Sequence, residues 1–360
     1  MQPRRSLPIL AMAVLVVGLQ LLTMGTGTGY YLTQLTMAAY YSLVVIGPCV
    51  LMGYCGQISL GHAGFFAIGG YLSAALTTNN LASFSDTLPV RALSELGLLV
   101  ARQDIFGETL LTVHPWAACL AAVLAAAAIA FALGGPVLKL KGHYLAMATL
   151  GFGIIIYRIA LASSYFGEAD GISEVPAFAL LPGLEVSGSF SARITNYYIA
   201  CGLLVLGMVL LMNLIHSRVG RALKAIHGSE EAAGTMGVNT SRVKLLTFVL
   251  SAVFAAVAGV LLTHYNGGIG PSEAGVMKSV RYVAIVAVGG MANLWGAMIM
   301  GMTLNFLSMR GVFGSYDDAV FGLILILIML FAPQGVMRVS LWGRIRRMLS
   351  RRPAEKEGTA

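Results

Sequence analysis

Apolar positions along this 360-residue chain gather into long runs, with polar positions confined to a few islands between them. The runs 9–24, 34–54, 60–78, 115–133, 143–163, 195–215 and 245–265 approach the roughly 20 residues that cross about 30 Å of hydrocarbon as helix. The stretch 276–308 is too long for one such helix and breaks at Gly289-Gly290. That pattern predicts a short span or re-entrant half over 276–288 and a second helix over 291–308. A last run covers 316–332. The expected architecture is all-α: a polytopic transmembrane helical bundle with about ten crossings, including a broken or re-entrant helix.

Composition agrees with a bilayer as solvent. Hydrophobic residues make up 58% and charged residues 11% of the chain, and the mean hydropathy is +0.82. A soluble protein of this length needs far more charge to cover its surface. The 43 glycines fit close helix approach and local breaks. Cys49, Cys55, Cys119 and Cys201 lie in or beside apolar runs without metal-ligand spacing, and read as packing residues. The net charge of +8 invites a nucleic-acid reading. The basic residues sit beside the spans, however, which positive-inside topology explains better, so membrane lipids are the expected surroundings. Arg4 and Arg5 before the run 9–24 imitate a signal peptide, but no Ala-x-Ala cleavage pattern follows, so a retained first span is expected.

Charge also sets direction. With the N-terminus inside, Lys139 and Lys141 fall inside after four crossings and 216–244 after six. The tail with Arg338, Arg344, Arg346, Arg347, Arg351 and Arg352 falls inside after ten. The outer loops come out acidic: 79–114 carries Asp86, Glu95, Asp104 and Glu108 against Arg91 and Arg102. Segment 164–194 carries Glu168, Asp170, Glu174 and Glu185 against Arg193. An odd number of spans breaks this agreement. Residues 1–337 then form one transmembrane domain, and 338–360 a basic cytoplasmic tail.

The largest polar island, 216–244, holds Arg218, Arg221, Lys224, Arg242 and Lys244 against Glu230 and Glu231. Segment 218–227 predicts a short amphipathic helix. A second one opens on Glu230-Glu231-Ala232-Ala233 and closes at Gly237, and Asn239-Thr240 caps the next span. Two acids at a short helix's N-terminal end suit its dipole and offer charge to a partner. A solvated turn needs no such sustained helical arrangement.

Three further stretches carry candidate chemistry. Gly56 to Gly70 is glycine-dense and polar where two apolar runs meet. Gln57, Ser59, Gly61, His62 and Gly64 line a pathway in one reading, with half-helix N–H groups meeting a carboxylate; in the other they make a tight turn and close packing. Lys141 to Gly153 leads from basic residues into a span with Thr149, Gly151 and Gly153. There Thr149 either bonds its own helix four residues back or faces the pathway. In 264–296, His264 to Pro271 reads as an outer loop with turn chemistry. Asn293 and Trp295 read either as gate residues or as a capped turn with an interfacial ring.

Enzyme readings find no support. The sequence has no HExxH, CxxC pair, GxSxG or P-loop, and its six histidines are scattered. Acids are essentially missing from the assigned spans, which disfavours an ion-coupled carrier and favours energy supplied from outside the chain.

Five segments together resemble the LivM-type permease subunit of branched-chain amino-acid ABC importers. They are GQISLGHAGFFAIGGY (56–71), LKLKGHYLAMATLGFG (138–153), the run from Gly220 to Leu261, VGGMANLWGA (288–297) and FAPQG (331–335). The resemblance covers about 34–337. It implies a multi-pass inner-membrane protein of a bacterium with both termini cytoplasmic. It further implies a second homologous permease, two cytoplasmic nucleotide-binding ATPase subunits and a periplasmic substrate-binding protein as partners, with ATP used only by the ATPases. The Glu231-Ala232-Ala233 run with Gly237 matches the family's coupling loop, so Arg221, Glu230, Glu231, Ala232, Ala233 and Gly237 are the residues expected to seat in an ATPase cleft.

One departure stands out. Where family members carry a turn of the TGG-x-NG kind, this chain has Phe166-Gly167-Glu168-Ala169-Asp170-Gly171. Glu168 and Asp170 bear on the binding-protein contact or on the cargo. Leucine, isoleucine and valine are the cargo the resemblance implies, with urea, amides or other amino acids as the alternative. A self-sufficient secondary transporter or channel is the competing class.

Overall fold

The computed structural model describes residues 3–82, 97–103, 109–140, 142–181, 183–312 and 314–331. Asp86, Glu95, Asp104, Glu108, Arg91, Lys141 and everything after Phe331, the basic tail included, lie outside the described residues, as do the side chains of Arg4 and Arg5.

Helices form where the apolar runs predict them. They are α1 (Pro3–Gly25), α2 (Tyr30–Cys55), α3 (His62–Thr78), α4 (Pro115–Val137), α5 (His143–Ala162), α6 (Arg193–His216), α9 (Thr240–Asn266), α10 (Val276–Gly289), α11 (Leu294–Met309) and α12 (Asp317–Phe331). The polar island supplies two more, α7 (Arg218–Gly228) and α8 (Glu230–Thr235). Among the described residues five helices, α2, α4, α5, α6 and α9, are long and apolar enough to cross a membrane. Shorter apolar helices cover Ala11–Gly25 and Leu294–Met309.

Strands were not expected, and the described residues contain three small sheets. β1 (Leu99–Gln103) pairs antiparallel with β2 (Thr109–Val113), Leu99 opposite Val113. β4 (Phe178–Leu181) pairs antiparallel with β5 (Leu184–Val186). β3 (Ile172–Ser173) pairs antiparallel with β6 (Gly268–Ile269), across almost a hundred residues of chain. Each pair lies between helices, where backbone groups that no helix satisfies need other partners.

Burial explains the arrangement. α2 is enclosed by α6, α9, α10 and α11, and from Ala38 to Gly53 every residue is buried. α4 shows how small residues allow contact: Ala118, Ala122, Ala126, Ala130 and Gly134 recur every four positions and are all buried. That stripe meets α3 and α9, while Leu120, Leu124 and Phe131 on the other face stay exposed, as a lipid-facing surface requires. Large apolar side chains are likewise exposed on α1, α5, α6 and α12.

Two helices begin inside the bundle. The His62 ring at the start of α3 lies 2.7 Å from Ser251 Oγ, eleven residues and about 16 Å along α9. α3 then runs parallel to α9, and Ser73 Oγ meets His264 near the far end of that helix. Residues 56–61 therefore climb from the end of α2 without helical structure, which is tolerated where protein surrounds them. α10 also starts inward of the surface, because Ser279 Oγ accepts from Ala63 N at 3.3 Å in the first turn of α3. Of the outer loop expected from His264 to Pro271, His264 to Asn266 are still helix, and the turn begins at Gly267. His264 is buried at the end of α9, and Pro271–Ala274 folds back as a 3-10 turn that brings Glu273 to Tyr41, eleven residues into α2.

Candidate functional site

The polar island is built by caps. Ser217 accepts from Val219 N and Gly220 N at the start of α7, Ser229 from Ala232 N at the start of α8, and Asn239 from Arg242 N at the start of α9. Each side-chain oxygen satisfies N–H groups a helix start leaves open, worth about 1 kcal/mol per cap. α7 buries Gly220, Leu223 and Ile226 against the bundle and α8 buries Ala233, which leaves Arg221, Glu231, Ala232 and Gly237 on the exposed side. Gly237 closes the second helix with φ +84°, a conformation glycine adopts without a side-chain clash. Met236 beside it is 86% exposed, so an apolar knob projects from the module.

Two charges of the island pair with each other within the fold. Lys244 is buried, donating from Nζ to Glu230 Oε1 at 2.5 Å and to the Leu138 carbonyl at 3.2 Å. Glu230 therefore ties α8 to α9 and to the end of α4. The reason is geometric: one turn into α9, Lys244 is buried against the end of α4, and the neighbouring Glu230 carboxylate neutralises it. Gly56, the left-handed cap of α2, lies beside His227 of α7, and the Lys224 ammonium stands 5.8 Å from the Tyr54 ring. The module thus rests on the end of the central helix.

The pathway candidates gather where α3 begins. Leu60 N donates to Thr149 Oγ1 at 2.9 Å, and Thr149 in turn donates to the carbonyls of Leu145 and Ala146, each at 3.0 Å. Thr149 therefore bonds its own helix and also serves the non-helical segment. Gly61 and Gly64 pack on α5: a Cβ at Gly61 meets the Thr149 carbonyl at 2.9 Å, and one at Gly64 meets Gly153 Cα at 3.4 Å. Gln57, Ser59, Gly61, His62, Gly64, Thr149 and Gly153 are buried, and Gly151 turns partly outward with open space around it.

Asn293 accepts from Gly296 N and caps α11, and Trp295 packs on the bundle core. Their turn is locked to α2. Tyr54 OH donates to the Ala292 carbonyl at 2.8 Å, and a Cβ on Gly53 lands 1.4 Å from the Met291 carbonyl oxygen. At the opposite end, Glu168 and Asp170 are exposed on a turn with positive φ at Gly167, Glu168 and Gly171. Behind that turn, Gly171 approaches the Ile269 carbonyl too closely for any side chain. His264 Nδ1 lies 2.7 Å from the Pro176 carbonyl, which can only accept, and so fixes the loop to α9.

Sequence reasoning missed one charged group. Glu273 accepts from Tyr41 OH at 3.0 Å, and Lys278 Nζ donates both to Glu273 at 2.9 Å and to Tyr41 OH at 3.1 Å. Three residues further along α10, Arg281 pairs with Asp317 at 3.2 Å and Asp318 at 2.9 Å and donates to Ser308 Oγ. Glu273 lies outside the assigned spans, yet its turn brings it beside Tyr41 in the middle of α2. Glu273 was hidden by its turn-forming neighbours, although the spacing Glu273–Lys278 and the apolar run after it were visible. Among the described residues, no group of His, Cys, Asp and Glu is placed to hold a metal ion.

The geometry finds its match in known sequences. Residues 30–329 match the family described as branched-chain amino acid transport system / permease component. The LivM permease of the high-affinity branched-chain amino acid transport system of Salmonella typhimurium is 31% identical, over 84% of this chain and 68% of its own length. LivH of Escherichia coli K12 is 29% identical over 86% of this chain and 96% of its own. The ribose import permease RbsC of Bacillus subtilis is 31% identical over 35% of this chain and 42% of its own length. No solved structure matches significantly. The relatives include both permease types, so they do not separate LivM from LivH. A non-catalytic, multi-pass membrane protein, the chain belongs to the branched-chain amino-acid ABC transporter permease family.

Proposed function

We propose that the chain is the membrane-spanning permease subunit of an ATP-driven importer in the bacterial inner membrane. It crosses ten times with both termini cytoplasmic, and moves leucine, isoleucine or valine handed over by a periplasmic binding protein. A second homologous permease completes the pathway, and two cytoplasmic ATPase subunits supply the energy. The observation carrying this reading is the α7–α8 module: two capped helices, seated on the end of α2 and pinned to α9 through Glu230 and Lys244. A rigid module on the end of a central helix transmits force, whereas a loose loop absorbs it. Closure of the ATPases on ATP displaces α8, and α2 and α9 follow.

In this reading Arg221, Glu231, Ala232 and Gly237 form the docking face, with Ala233 seating it on the bundle and Glu230 securing it from behind. The α3–α5 junction (Gln57, Ser59, Gly61, His62, Gly64, Thr149, Gly151, Gly153) is one wall of the pathway and opens when the helices move. Glu168 and Asp170 meet the binding protein, and Asn293 with Trp295 forms the inner gate. The Glu168–Asp170 departure keeps urea, amides or other amino acids as the alternative cargo.

The test is uptake with partners present. The double variant Glu231→Ala, Gly237→Ala is expected to insert normally yet lose ATP-driven uptake, and unchanged uptake overturns the docking assignment. The chain alone is expected to show no ATPase activity and no gradient-driven flux in liposomes; flux through it alone establishes a secondary transporter instead. Mass identification of the ligand on the copurified binding protein names the cargo.

A further inference from the structure

Beside the Glu273–Lys278 pair lies a cavity of about 230 Å³ between α2, α10 and α11, lined by Tyr41, Lys278, Arg281, Tyr282, Asn305 and Ser308 among others. It sits halfway along the central helix: Tyr41 is about 16 Å from one end of α2 and about 21 Å from the other. Its volume falls below the roughly 300–1,000 Å³ typical of drug-sized ligands and suits a small solute. Two buried polar atoms of lining residues have no hydrogen-bond partner among the described residues, Tyr282 OH and Arg281 Nε. Tyr282 is only 1% exposed, so its hydroxyl is an unanswered donor and acceptor deep in the bundle.

Each cation on the cavity wall is answered by a carboxylate standing behind it. Lys278 pairs with Glu273, and Arg281 pairs with Asp317 and with Asp318, which is half exposed and keeps its contact with water. Lys278 and Arg281 stand three residues apart on one face of α10, each with its counter-carboxylate on a separate segment, the 3-10 turn or α12. A solute with net charge entering this site leaves one charge uncompensated in a low dielectric, which is costly. A zwitterion does not, because its carboxylate replaces one acid at a cation while its ammonium takes the released acid.

From this we infer that the cavity is a passage site for the α-amino and α-carboxylate groups of a zwitterionic amino acid, with Lys278 holding the carboxylate and Glu273 the ammonium. Tyr41 and Tyr282 supply hydroxyls to the carboxylate. The side chain of the solute lies toward Met37 and Met309 at the apolar end of the lining. The inference deepens the proposed import function and rests on it for the identity of the cargo.

The test is saturation-transfer NMR with leucine, on the full chain copurified with its partner subunits in lipid nanodiscs, without binding protein. Leucine is expected to receive saturation from the wild-type assembly. The probes 4-methylpentanoate, which lacks the ammonium, and leucinamide, which lacks the carboxylate, are expected to compete at least tenfold more weakly. Lys278→Met and Glu273→Gln are each expected to reduce the leucine signal at least fivefold. The exchanged pair Lys278→Glu with Glu273→Lys is expected to recover it, which separates loss of the site from loss of the fold. No transfer to leucine, equal competition by either analogue, or full signal in either single variant overturns the site. ATP-driven uptake, measured in parallel with the binding protein added, keeps the two readings apart: wild-type uptake that the variants leave unchanged removes only the site. Absence of ATP-driven amino-acid uptake by wild type removes the import function.

Discussion

α3 and α10 both begin inside the bundle, and they are sealed there in opposite ways. α3 is closed by contact: Gly69 and Gly70 lie against Ala256 and Gly259 of α9 so closely that a Cβ on Gly69 stands 2.3 Å from the Ala256 carbonyl oxygen. Its polar neighbours make no ion pair among the described residues: the His62 ring meets Ser251 Oγ and Thr149 accepts from Leu60 N. α10 instead starts beside two ion pairs, unsatisfied hydroxyl and guanidinium atoms, and a cavity. Shape holds the first helix and charge surrounds the second. A helix welded by shape transmits motion, while one set among exchangeable charges has room for a guest.

That contrast breaks first at the glycines. Gly69→Val drives a branched side chain into the α9 backbone and is expected to cost about 3 kcal/mol or more, read as a fall in thermal unfolding temperature and in folded yield. Lys244→Met leaves the Glu230 carboxylate and the Leu138 carbonyl without their donor, and is expected to cost about 2 kcal/mol because Glu230 keeps partial contact with water. Adding Glu230→Gln should recover part of that loss in the same unfolding measurement. Thr149→Val removes the acceptor for Leu60 N and is expected to cost roughly 1–2 kcal/mol. Asn293→Ala removes one cap and is expected to cost about 1 kcal/mol. The smallest stability effect is expected where the charge is greatest. Lys278→Met combined with Glu273→Gln should unfold within about 1 kcal/mol of wild type, since neutral replacement of a buried pair is often tolerated. A large destabilisation there makes the pair a structural fastener and erases the contrast with α3.

The positions of the helices were legible in the sequence because hydrocarbon imposes length and apolarity on each segment. The short helix at 276–289 was legible from Gly289-Gly290, and α7, α8 and the Asn239 cap from the polar stretch that holds them, whereas the Ser217 and Ser229 caps were not read from it. All of these are local signals. Pairings between distant segments left no such mark. Nothing near Lys244 announces that Leu138 lies beside it, and nothing near Glu273 announces Tyr41, 232 residues away. Pro271 and the glycines around it encode a turn, not the direction in which that turn folds. The strands are two to five residues long, too short for an alternating pattern to declare itself.

The β3–β6 pairing ties two distant parts of the chain together at one rim of the bundle. Ser173, three residues after Asp170, is knitted to Gly268, and Glu273 follows only five residues later. Little slack separates the acidic turn from the carboxylate beside the cavity. A visitor that grips Glu168 or Asp170 therefore has a string in its hand, and Gly268 keeps that string short, since a Cβ there would lie 2.8 Å from the Ile172 carbonyl oxygen.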